Sequence, residues 1–283
     1  MPFFVKALIG LAIIGVAVAF VGICASLRRV TRHYAVMTDK LNGPLRMALL
    51  SDLHAARYGK KQEELVGRIA ALKPDILLFA GDVVAEDKDR MPAHELLSAL
   101  GKAYPCYYVT GNHEYRLGKP QEVREFVRSL GVTVLQGTAA VVDTPAGRIC
   151  VAGTDDPLEG EEIFLSQAEK SLAAASETGA WTVFLCHHPE RVVALAKENG
   201  LPFDLALSGH AHGGQWRLPG LINGVFAPHQ GIFPKYAGGR YDLGGGRTLI
   251  VGRGLSKDLP KGLPIPRIFN PPELVVIDVN SRS

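Results

Sequence analysis

Four short motifs of metal-ligand side chains occur in a fixed order along this sequence of 283 residues. Asp52, Asp82 and Asn112 recur at thirty-residue intervals, and glycines flank most of the motifs. Taken singly, each Asp or Asn reads equally well as a capping or turn residue. The ordered set instead predicts one site that holds two divalent metal ions. The motifs are Asp52-Leu53-His54, Gly81-Asp82, Gly111-Asn112-His113-Glu114 and Gly209-His210-Ala211-His212.

A short apolar run precedes each motif, and a fifth run leads into His187 and His188. Continuous apolar runs of this length, separated by helix-like stretches, are typical of buried strands in an α/β fold. Because loops at the carboxyl ends of such strands carry functional groups, we expect five loops to converge on one edge. The runs are Met47–Leu50, Ile76–Ala80, Tyr107–Thr110, Thr182–Cys186 and Leu205–Ser208.

The donor set of these loops mixes oxygen and nitrogen and contains no thiolate. Such a set suits Mn²⁺, Fe²⁺ or Zn²⁺ better than Ca²⁺, which prefers oxygen ligands alone. Asp82 is the best candidate for a carboxylate that bridges two cations roughly 3.5–4 Å apart. A metal pair of this kind activates a water molecule for in-line displacement at phosphorus, a reaction that asks mainly for positioning and charge neutralisation.

The order of the motifs resembles that of the calcineurin-like metallophosphoesterase superfamily, over nearly the whole chain after residue 44. The resemblance implies two divalent ions, with Mn²⁺ foremost and Fe²⁺ or Zn²⁺ as alternatives. It also implies that His113 is not a ligand but a general acid or transition-state stabiliser, oriented by a neighbouring carboxylate. By the same resemblance Asp52, His54, Asp82 and His212 hold the first metal, and Asp82, Asn112, His187 and His210 hold the second.

Two positions beside the motifs leave alternatives open. An acidic residue often follows the Gly-Asp motif in this superfamily, and either Glu86 or Asp87 takes that place here. His187 is favoured over His188 as the ligand because it stands first after its strand.

The amino-terminal segment from Ala7 to Leu27 contains twenty-one residues without a charge. At about 1.5 Å per residue, a helix of this length spans a hydrocarbon core of roughly 30 Å. Arg28, Arg29 and Arg32 follow the segment, whereas Lys6 alone precedes it, so the positive-inside rule predicts a single-pass inner-membrane protein with a cytoplasmic catalytic domain. A cleaved signal peptide is the alternative. The four cysteines show no disulfide or zinc spacing, which favours the cytoplasm.

The sequence thus predicts a transmembrane anchor over residues 1–27, a basic juxtamembrane linker over 28–43 and a phosphoesterase domain over 44–283. The domain contains too many strands for one short sheet, so two stacked sheets flanked by helices fit best. The resemblance implies a four-layer α/β/β/α sandwich. The predicted helices cover 60–72, 92–101, 121–130, 161–175 and 190–197, and the further strands cover 132–135, 141–143, 149–153, 248–252 and 274–279.

A finer resemblance concerns the substrate. The segments after His212 and over Pro264–Glu273 look like the membrane-associated branch of bacterial phosphoesterases, which includes enzymes similar to UDP-2,3-diacylglucosamine pyrophosphohydrolases of lipid A synthesis. This implies a phosphate ester or lipid-linked pyrophosphate as substrate. Arg253 and Arg116 are candidate phosphate contacts, with a structural salt bridge as the alternative. Apolar residues within 213–247 could line an acyl-chain groove, lean on the bilayer or form an ordinary loop core.

Two other functions stay open at this stage. One is a phosphodiesterase on a soluble substrate, whose anchor only sets its location. The other is a metal-binding scaffold without turnover, against which the intact His113 and the complete ligand set argue. A net charge of +3, with no basic run interleaved with aromatic residues, gives no indication of nucleic-acid binding. Among the remaining candidates, His229 could lie near the site mouth, and Asp155 and Asp156 are expected to form a capping turn.

Overall fold

The computed structural model describes residues 2–84, 89–198, 200–257 and 266–282, so Glu86 and Asp87 lie outside the described residues. The α-helices are α1 (Phe3–Ser26), α2 (Glu63–Leu72), α3 (Met91–Gly101), α4 (Asn112–Arg116), α5 (Pro120–Ser129), α6 (Glu161–Glu177) and α7 (Pro189–Lys197). The strands are β1 (Val30–Thr38), β2 (Leu45–Leu50), β3 (Ile76–Ala80), β4 (Cys106–Val109), β5 (Thr133–Val134), β6 (Thr138–Thr144), β7 (Gly147–Gly153), β8 (Trp181–Leu185), β9 (Leu205–Ser208), β10 (Phe226–Ala227), β11 (Gly231–Ile232), β12 (Gly239–Gly244), β13 (Arg247–Val251) and β14 (Glu273–Ser281).

The described strands form two six-stranded sheets and a short hairpin of β10 with β11. The first sheet has the order β1-β14-β2-β3-β4-β5, and its strands β2 to β5 run parallel. The second has the order β12-β13-β9-β8-β7-β6, with β7, β8, β9 and β13 parallel. In the first sheet β14 is antiparallel to β2, and in the second β12 and β6 are antiparallel to β13 and β7. The parallel strands β3, β4, β8 and β9 are buried along their whole length, as their continuous apolar sequences predict.

Three apolar layers hold the fold together. The middle layer lies between the two sheets and joins residues such as Leu78 and Leu207. One outer layer packs α2, α3 and α5 on the first sheet, and the other packs α6 and α7 on the second. The predicted four-layer α/β/β/α sandwich is therefore confirmed, and the predicted helices and strands recur within a few residues of their expected bounds.

The structure differs from the predicted linker over residues 28–43. Strand β1 lies within this segment and pairs in parallel with β14, from Val30 opposite Glu273 to Thr38 opposite Ser281. The strand was missed because most of its side chains are exposed or half-buried at the edge of the sheet, so apolar residues do not alternate regularly along it. The sheet therefore begins at Val30 rather than after residue 43.

Helix α1 is long and apolar enough to cross a membrane, with 24 residues and a mean hydropathy of 2.8 over eighteen of them. Its side chains are mostly exposed, but Gly22 and Ser26 in its last turns are buried against the body. The Phe269 N–H donates to the Gly22 carbonyl at 2.9 Å, and the Asn270 N–H donates to Ser26 Oγ at 2.9 Å. Glycine is required at position 22 because a Cβ there would lie 2.4 Å from a methyl carbon of Ile268.

Candidate dinuclear metal centre

The predicted site residues lie at the carboxyl ends of β2, β3, β4, β8 and β9, so both sheets contribute loops to one edge. Several of the turning residues have a positive φ without being glycine, which costs roughly 1–3 kcal/mol each and is typical of functional sites. These residues are Asp52 (φ 51°), His54 (φ 45°), Asp82 (φ 54°), His210 (φ 67°) and His212 (φ 46°).

Glycine at position 111 lets two of these loops approach each other. A Cβ on Gly111 would lie 2.3 Å from Asp82 Oδ1 and 2.8 Å from His187 Nε2. Any other residue would therefore displace two of the predicted ligands, which explains the glycine of this motif.

The first group of donors consists of Asp52, His54 and His212, whose donor atoms all lie within 4.8 Å of one another. Asp52 Oδ1 lies 3.9 Å from His54 Nε2 and 3.5 Å from His212 Nε2. Asp52 is held in place because both of its carboxylate oxygens accept from the His210 N–H, at 3.1 and 3.2 Å.

The second group consists of Asp82, His187 and His210, again with donor atoms within 4.8 Å. Asp82 Oδ2 lies 3.2 Å from His187 Nε2, and His187 Nε2 lies 3.2 Å from His210 Nδ1. The same oxygen, Asp82 Oδ2, lies 3.6 Å from His54 Nε2 of the first group. One carboxylate oxygen thus faces both groups, which is the geometry expected for a bridge.

Buried atoms without partners test whether the site fits metal ions. Among the described residues, His54 Nε2 and Asn112 Oδ1 are buried without a hydrogen-bond partner. Such atoms are costly unless something absent from the chain satisfies them. Their nitrogen and oxygen chemistry, and their position beside grouped carboxylates and imidazoles, fit a pair of divalent cations.

The protonation states of His54 and His212 agree with binding of metal ions at this site. Burial lowers the pKa of His54 to about 3, and burial with the neighbouring Arg267 lowers the pKa of His212 to about 3. Both imidazoles are therefore neutral near pH 7 and keep a lone pair to donate. The His187 Nδ1–H donates to the Ala80 carbonyl at 2.6 Å, so Nε2 is the nitrogen that points at Asp82.

Asp82 and His187 form a buried, mutually charged pair. Burial alone opposes the charged form of each, but the attraction between them outweighs it. The pKa of Asp82 therefore lies well below its usual value, and the pKa of His187 well above. A strongly charged carboxylate at this position attracts cations to the point where the two groups meet.

Glu114 fixes the two loops that carry Asp82 and Asn112. Its carboxylate accepts from the N–H groups of Asp82, Val84 and Gly111 at 2.9, 2.9 and 2.8 Å. It also accepts from the Tyr108 hydroxyl at 2.6 Å, while burial and the charge of Asp82 raise its pKa to about 7. Both oxygens of Glu114 thus accept hydrogen bonds from the main chain, and one also accepts from Tyr108. The carboxylate therefore holds the loops after β3 and β4 together.

His113 lies at the rim of the first group. Its N–H donates to Asp82 Oδ1 at 2.8 Å, and its ring meets the His54 ring edge-on at a centroid distance of 4.3 Å. Its Nε2 lies 3.9 Å from Asp82 Oδ2, and 9% of the residue is exposed. His113 also forms a group of donor atoms with His54 and Asp82, all within 4.8 Å of one another, so its role as a proton donor rather than a ligand stays a prediction.

His188 and His229 lie beside His210 of the second donor group, and the sequence alone assigned neither of them a defined role. His188 lies between two carboxylates, with Nε2 2.7 Å from Asp156 and Nδ1 3.0 Å from Glu190. Its ring packs 3.9 Å from that of His210, and His210 Nε2 lies 2.9 Å from His229 Nδ1. These contacts surround the outer side of His210. The sequence signal was available in the repeated histidine and in the acidic residue two positions beyond it.

The turn at Asp155 and Asp156, after β7, has the capping role expected from the sequence and one further contact. Asp156 Oδ1 accepts from the Leu158 N–H at 3.0 Å and thereby caps the short helix Pro157–Glu159. Its other oxygen is the one that contacts His188. Asp155 accepts from the Thr110 hydroxyl at 2.7 Å and lies 3.2 Å from an Arg124 guanidinium nitrogen.

The turn His212–Gly214 is held by contacts with Asn270, Arg217 and Arg267. The Asn270 side-chain amide donates to the His212 carbonyl at 2.7 Å, and Arg217 donates to the Gly213 carbonyl at 3.0 Å. An Arg267 guanidinium nitrogen lies 3.3 Å from His212 Nδ1. The sequence gives no signal for the supports from Asn270 and Arg267, because these residues are distant from His212 in the chain.

The structure does not bring the two candidate substrate arginines into the donor groups. The Arg253 guanidinium contacts Glu273, with its Nε 3.1 Å from Oε2, and faces a separate cavity. Arg116 is exposed at the end of α4. A phosphate contact at either position therefore stays a prediction.

Comparison with known proteins agrees with this geometry. The pattern of the family described as calcineurin-like phosphoesterase matches residues 45–214. The chain is 32% identical to the phosphodiesterase YaeI of Escherichia coli, over 70% of this chain and 71% of that protein. It is 27% identical to an uncharacterized metallophosphoesterase of Aquifex aeolicus over 88% and 91% of the two chains. A Danio rerio transmembrane protein with a metallophosphoesterase domain is 31% identical over 63% of this chain and 42% of that protein.

The chain therefore belongs to the calcineurin-like phosphoesterase family. Members of this family are phosphoester hydrolases, and the grouped His and Asp residues described above are candidate ligands for divalent metal ions.

Replacement of Asp82 tests the shared position. Asp82→Asn removes the charge that faces both groups, so we expect it to lose bound metal and activity together. Elemental analysis after gel filtration measures the metal per chain. Asp143→Asn is the control, since Asp143 is exposed on β6 and pairs with Arg148. Full occupancy by two ions in Asp82→Asn would contradict the bridging assignment.

Proposed function

We propose that this protein is a membrane-anchored, dinuclear-metal phosphoesterase that hydrolyses a phosphodiester or pyrophosphate bond. The observation that carries the proposal is Asp82 Oδ2, which faces both donor groups, 3.6 Å from His54 and 3.2 Å from His187. Asp52, His54, Asp82 and His212 would hold one ion, and Asp82, Asn112, His187 and His210 the other. Mn²⁺ is the proposed metal, and Fe²⁺ or Zn²⁺ also suit these donors.

When bound, two such ions activate water and neutralise charge on a transferring phosphoryl group. The chain itself contributes orientation and a proton. Asp82 and Glu114 hold the loops in one arrangement before substrate arrives, so no reorganisation is needed during the reaction. His113 stands at the rim of the first group and is the proposed donor of a proton to the leaving oxygen.

His113→Ala tests the proton donor. We expect both metals to remain and turnover to fall by roughly 10²–10⁴-fold, the usual scale for a positioned acid–base group. The loss should be smaller with an activated leaving group such as nitrophenol, which needs no proton. His94→Ala, an exposed histidine on α3, serves as control. Loss of metal in His113→Ala would instead make His113 a ligand.

The proposed location is the inner membrane, with the catalytic domain in the cytoplasm. Support comes from the length and apolar composition of α1, from the three arginines that follow it and from the relative named as a transmembrane protein. The anchor would then keep the metal centre within reach of the bilayer.

Two measurements test the location. A reporter fused after residue 283 should show cytoplasmic activity, because the domain follows the positively charged flank of α1. Removal of residues 2–21 should release the protein from membranes while retaining Gly22 and Ser26, which contact the body. A periplasmic reporter signal would reverse the proposed orientation, and a released wild-type chain would argue against an anchor.

The proposed substrate is a lipid-linked pyrophosphate, and UDP-2,3-diacylglucosamine of lipid A synthesis is the first compound to test. The hairpin of β10 and β11 supports this class. Phe226 and Ile232 pair across it and are 48% and 72% exposed. Its turn carries His229, which contacts His210 of the second donor group. Apolar side chains thus lie beside the metal centre, where they are available to acyl chains. A soluble phosphodiester is the competing substrate, favoured by the relative named as a phosphodiesterase.

Substitution of the hairpin separates these two substrates. Phe226→Ser with Ile232→Ser should lower kcat/KM for UDP-2,3-diacylglucosamine and leave a small soluble diester nearly unchanged, because the diester has no chain to bind. Val141→Ser, at an exposed apolar position on β6, is the matched control. Equal losses on both substrates would mean that the hairpin supports the fold. Failure of metal-loaded protein in detergent to hydrolyse the lipid substrate would favour the soluble one.

A further inference from the structure

The cavity beside Arg253 lies on the side of the body that contacts α1. Its volume is about 480 Å³, and it lies between the start of β1, residues 217–223 and residues 269–271. Three arginines line it, namely Arg32, Arg217 and Arg253, and among the described residues of its wall none is acidic. We call it the arginine cavity. None of the predicted metal ligands lines it.

The arginine cavity carries an excess of positive charge. Arg32 Nε and Arg253 Nε each lie 3.1 Å from the same oxygen, Glu273 Oε2. Glu273 is 2% exposed, and its other oxygen, Oε1, has no hydrogen-bond partner among the described residues. One buried carboxylate therefore faces two guanidinium groups and neutralises one of them.

Arg217 adds a third cation without a carboxylate partner in the described part of the chain. It donates to the Gly213 carbonyl at 3.0 Å and to the Asn223 side chain. Its Nη1 lies 3.4 Å, and Arg253 Nε 3.6 Å, from the position that a Cβ would take on Gly238. Burial and the nearby charge of Arg253 lower the pKa of Arg217 to about 10. An anion placed between these guanidinium groups would therefore be stabilised by charge-assisted hydrogen bonds.

The rim of the cavity is apolar and adjoins the anchor. Leu218 and Leu221 line it and are 38% and 77% exposed, and Phe269 closes the side nearest the helix. The Phe269 N–H donates to Gly22 in the last turns of α1. A ligand that filled the whole cavity would place a phosphate between the arginines. It would place apolar chains along this rim, next to the end of the helix.

We propose that the arginine cavity binds the phosphate headgroup of an anionic glycerophospholipid from the membrane that holds α1. The proposal rests on the membrane location given under the proposed function, and it is independent of hydrolysis. Arg217 donates to Gly213, the residue after His212, so the bound headgroup lies against the back of the turn that carries a predicted metal ligand. A soluble phosphate ester would use the arginines and leave the apolar rim uncovered.

Native mass spectrometry of the full-length protein in mild detergent tests this site. The probes are dioleoylphosphatidylglycerol and dioleoylphosphatidylcholine, titrated over the same range. We expect the phosphatidylglycerol to bind more tightly by roughly tenfold, because the choline cation of phosphatidylcholine offsets the charge of its phosphate. Arg217→Gln and Arg32→Gln should each weaken that binding by about tenfold and reduce the preference over phosphatidylcholine. Arg148→Gln is the matched control, because Arg148 is exposed on β7 and pairs with Asp143.

The outcomes test the lipid site and separate a lipid from a soluble phosphate ester as its ligand. Equal binding of the two lipids, or unchanged binding in both variants, overturns the proposal. Displacement of phosphatidylglycerol by millimolar glycerol 3-phosphate would overturn the lipid source and indicate a soluble phosphate ester instead. Metal content and thermal unfolding of each variant show whether the fold is intact, and Arg32→Gln leaves the contact with Gly213 untouched. Protein that binds the lipid but hydrolyses no phosphoester would count against the proposed function alone.

Discussion

One buried carboxylate, that of Asp82, is the point on which the candidate metal centre depends. Its Oδ2 lies between the imidazoles of His54 and His187, which belong to loops of different sheets. A charge in this position, 1% exposed, is unstable unless cations or protonated partners surround it. Bound cations, which the proposed function requires, would also stabilise the buried charge of Asp82. In the chain alone, a protonated His187 stabilises part of that charge.

The rest of the fold keeps that carboxylate in place. Two sheets meet across an apolar layer, so the carboxyl ends of β3 and β8 open onto the same edge. Glu114 then joins the loops after β3 and β4 through main-chain hydrogen bonds, which leaves the ligand side chains free. A hydrogen-bonded support of this type costs less chain entropy at the moment of binding than flexible loops would.

The parts of this protein that the sequence predicted are those with strong local signals. Continuous apolar runs identified β3, β8 and β9, and their positions before each motif led to a shared edge. Strand β1 was missed, since an edge strand buries few side chains and resembles a polar linker. His229 was only a candidate, because its approach to His210 depends on a hairpin of two-residue strands. Contacts such as Asn270 with His212 have no sequence signal, as they join segments 58 residues apart.

The connection between α1 and His212 gives this helix a structural role in the body of the protein. Ser26 accepts from the Asn270 N–H, and the Asn270 side chain in turn holds the His212 carbonyl. The last turn of the helix is therefore part of the scaffold of the candidate metal centre, in addition to its proposed role as a membrane anchor. A chimaera that carries the transmembrane helix of another protein would alter this scaffold unless it kept Gly22 and Ser26. The metal content of two such chimaeras, with and without these two residues, would show the difference.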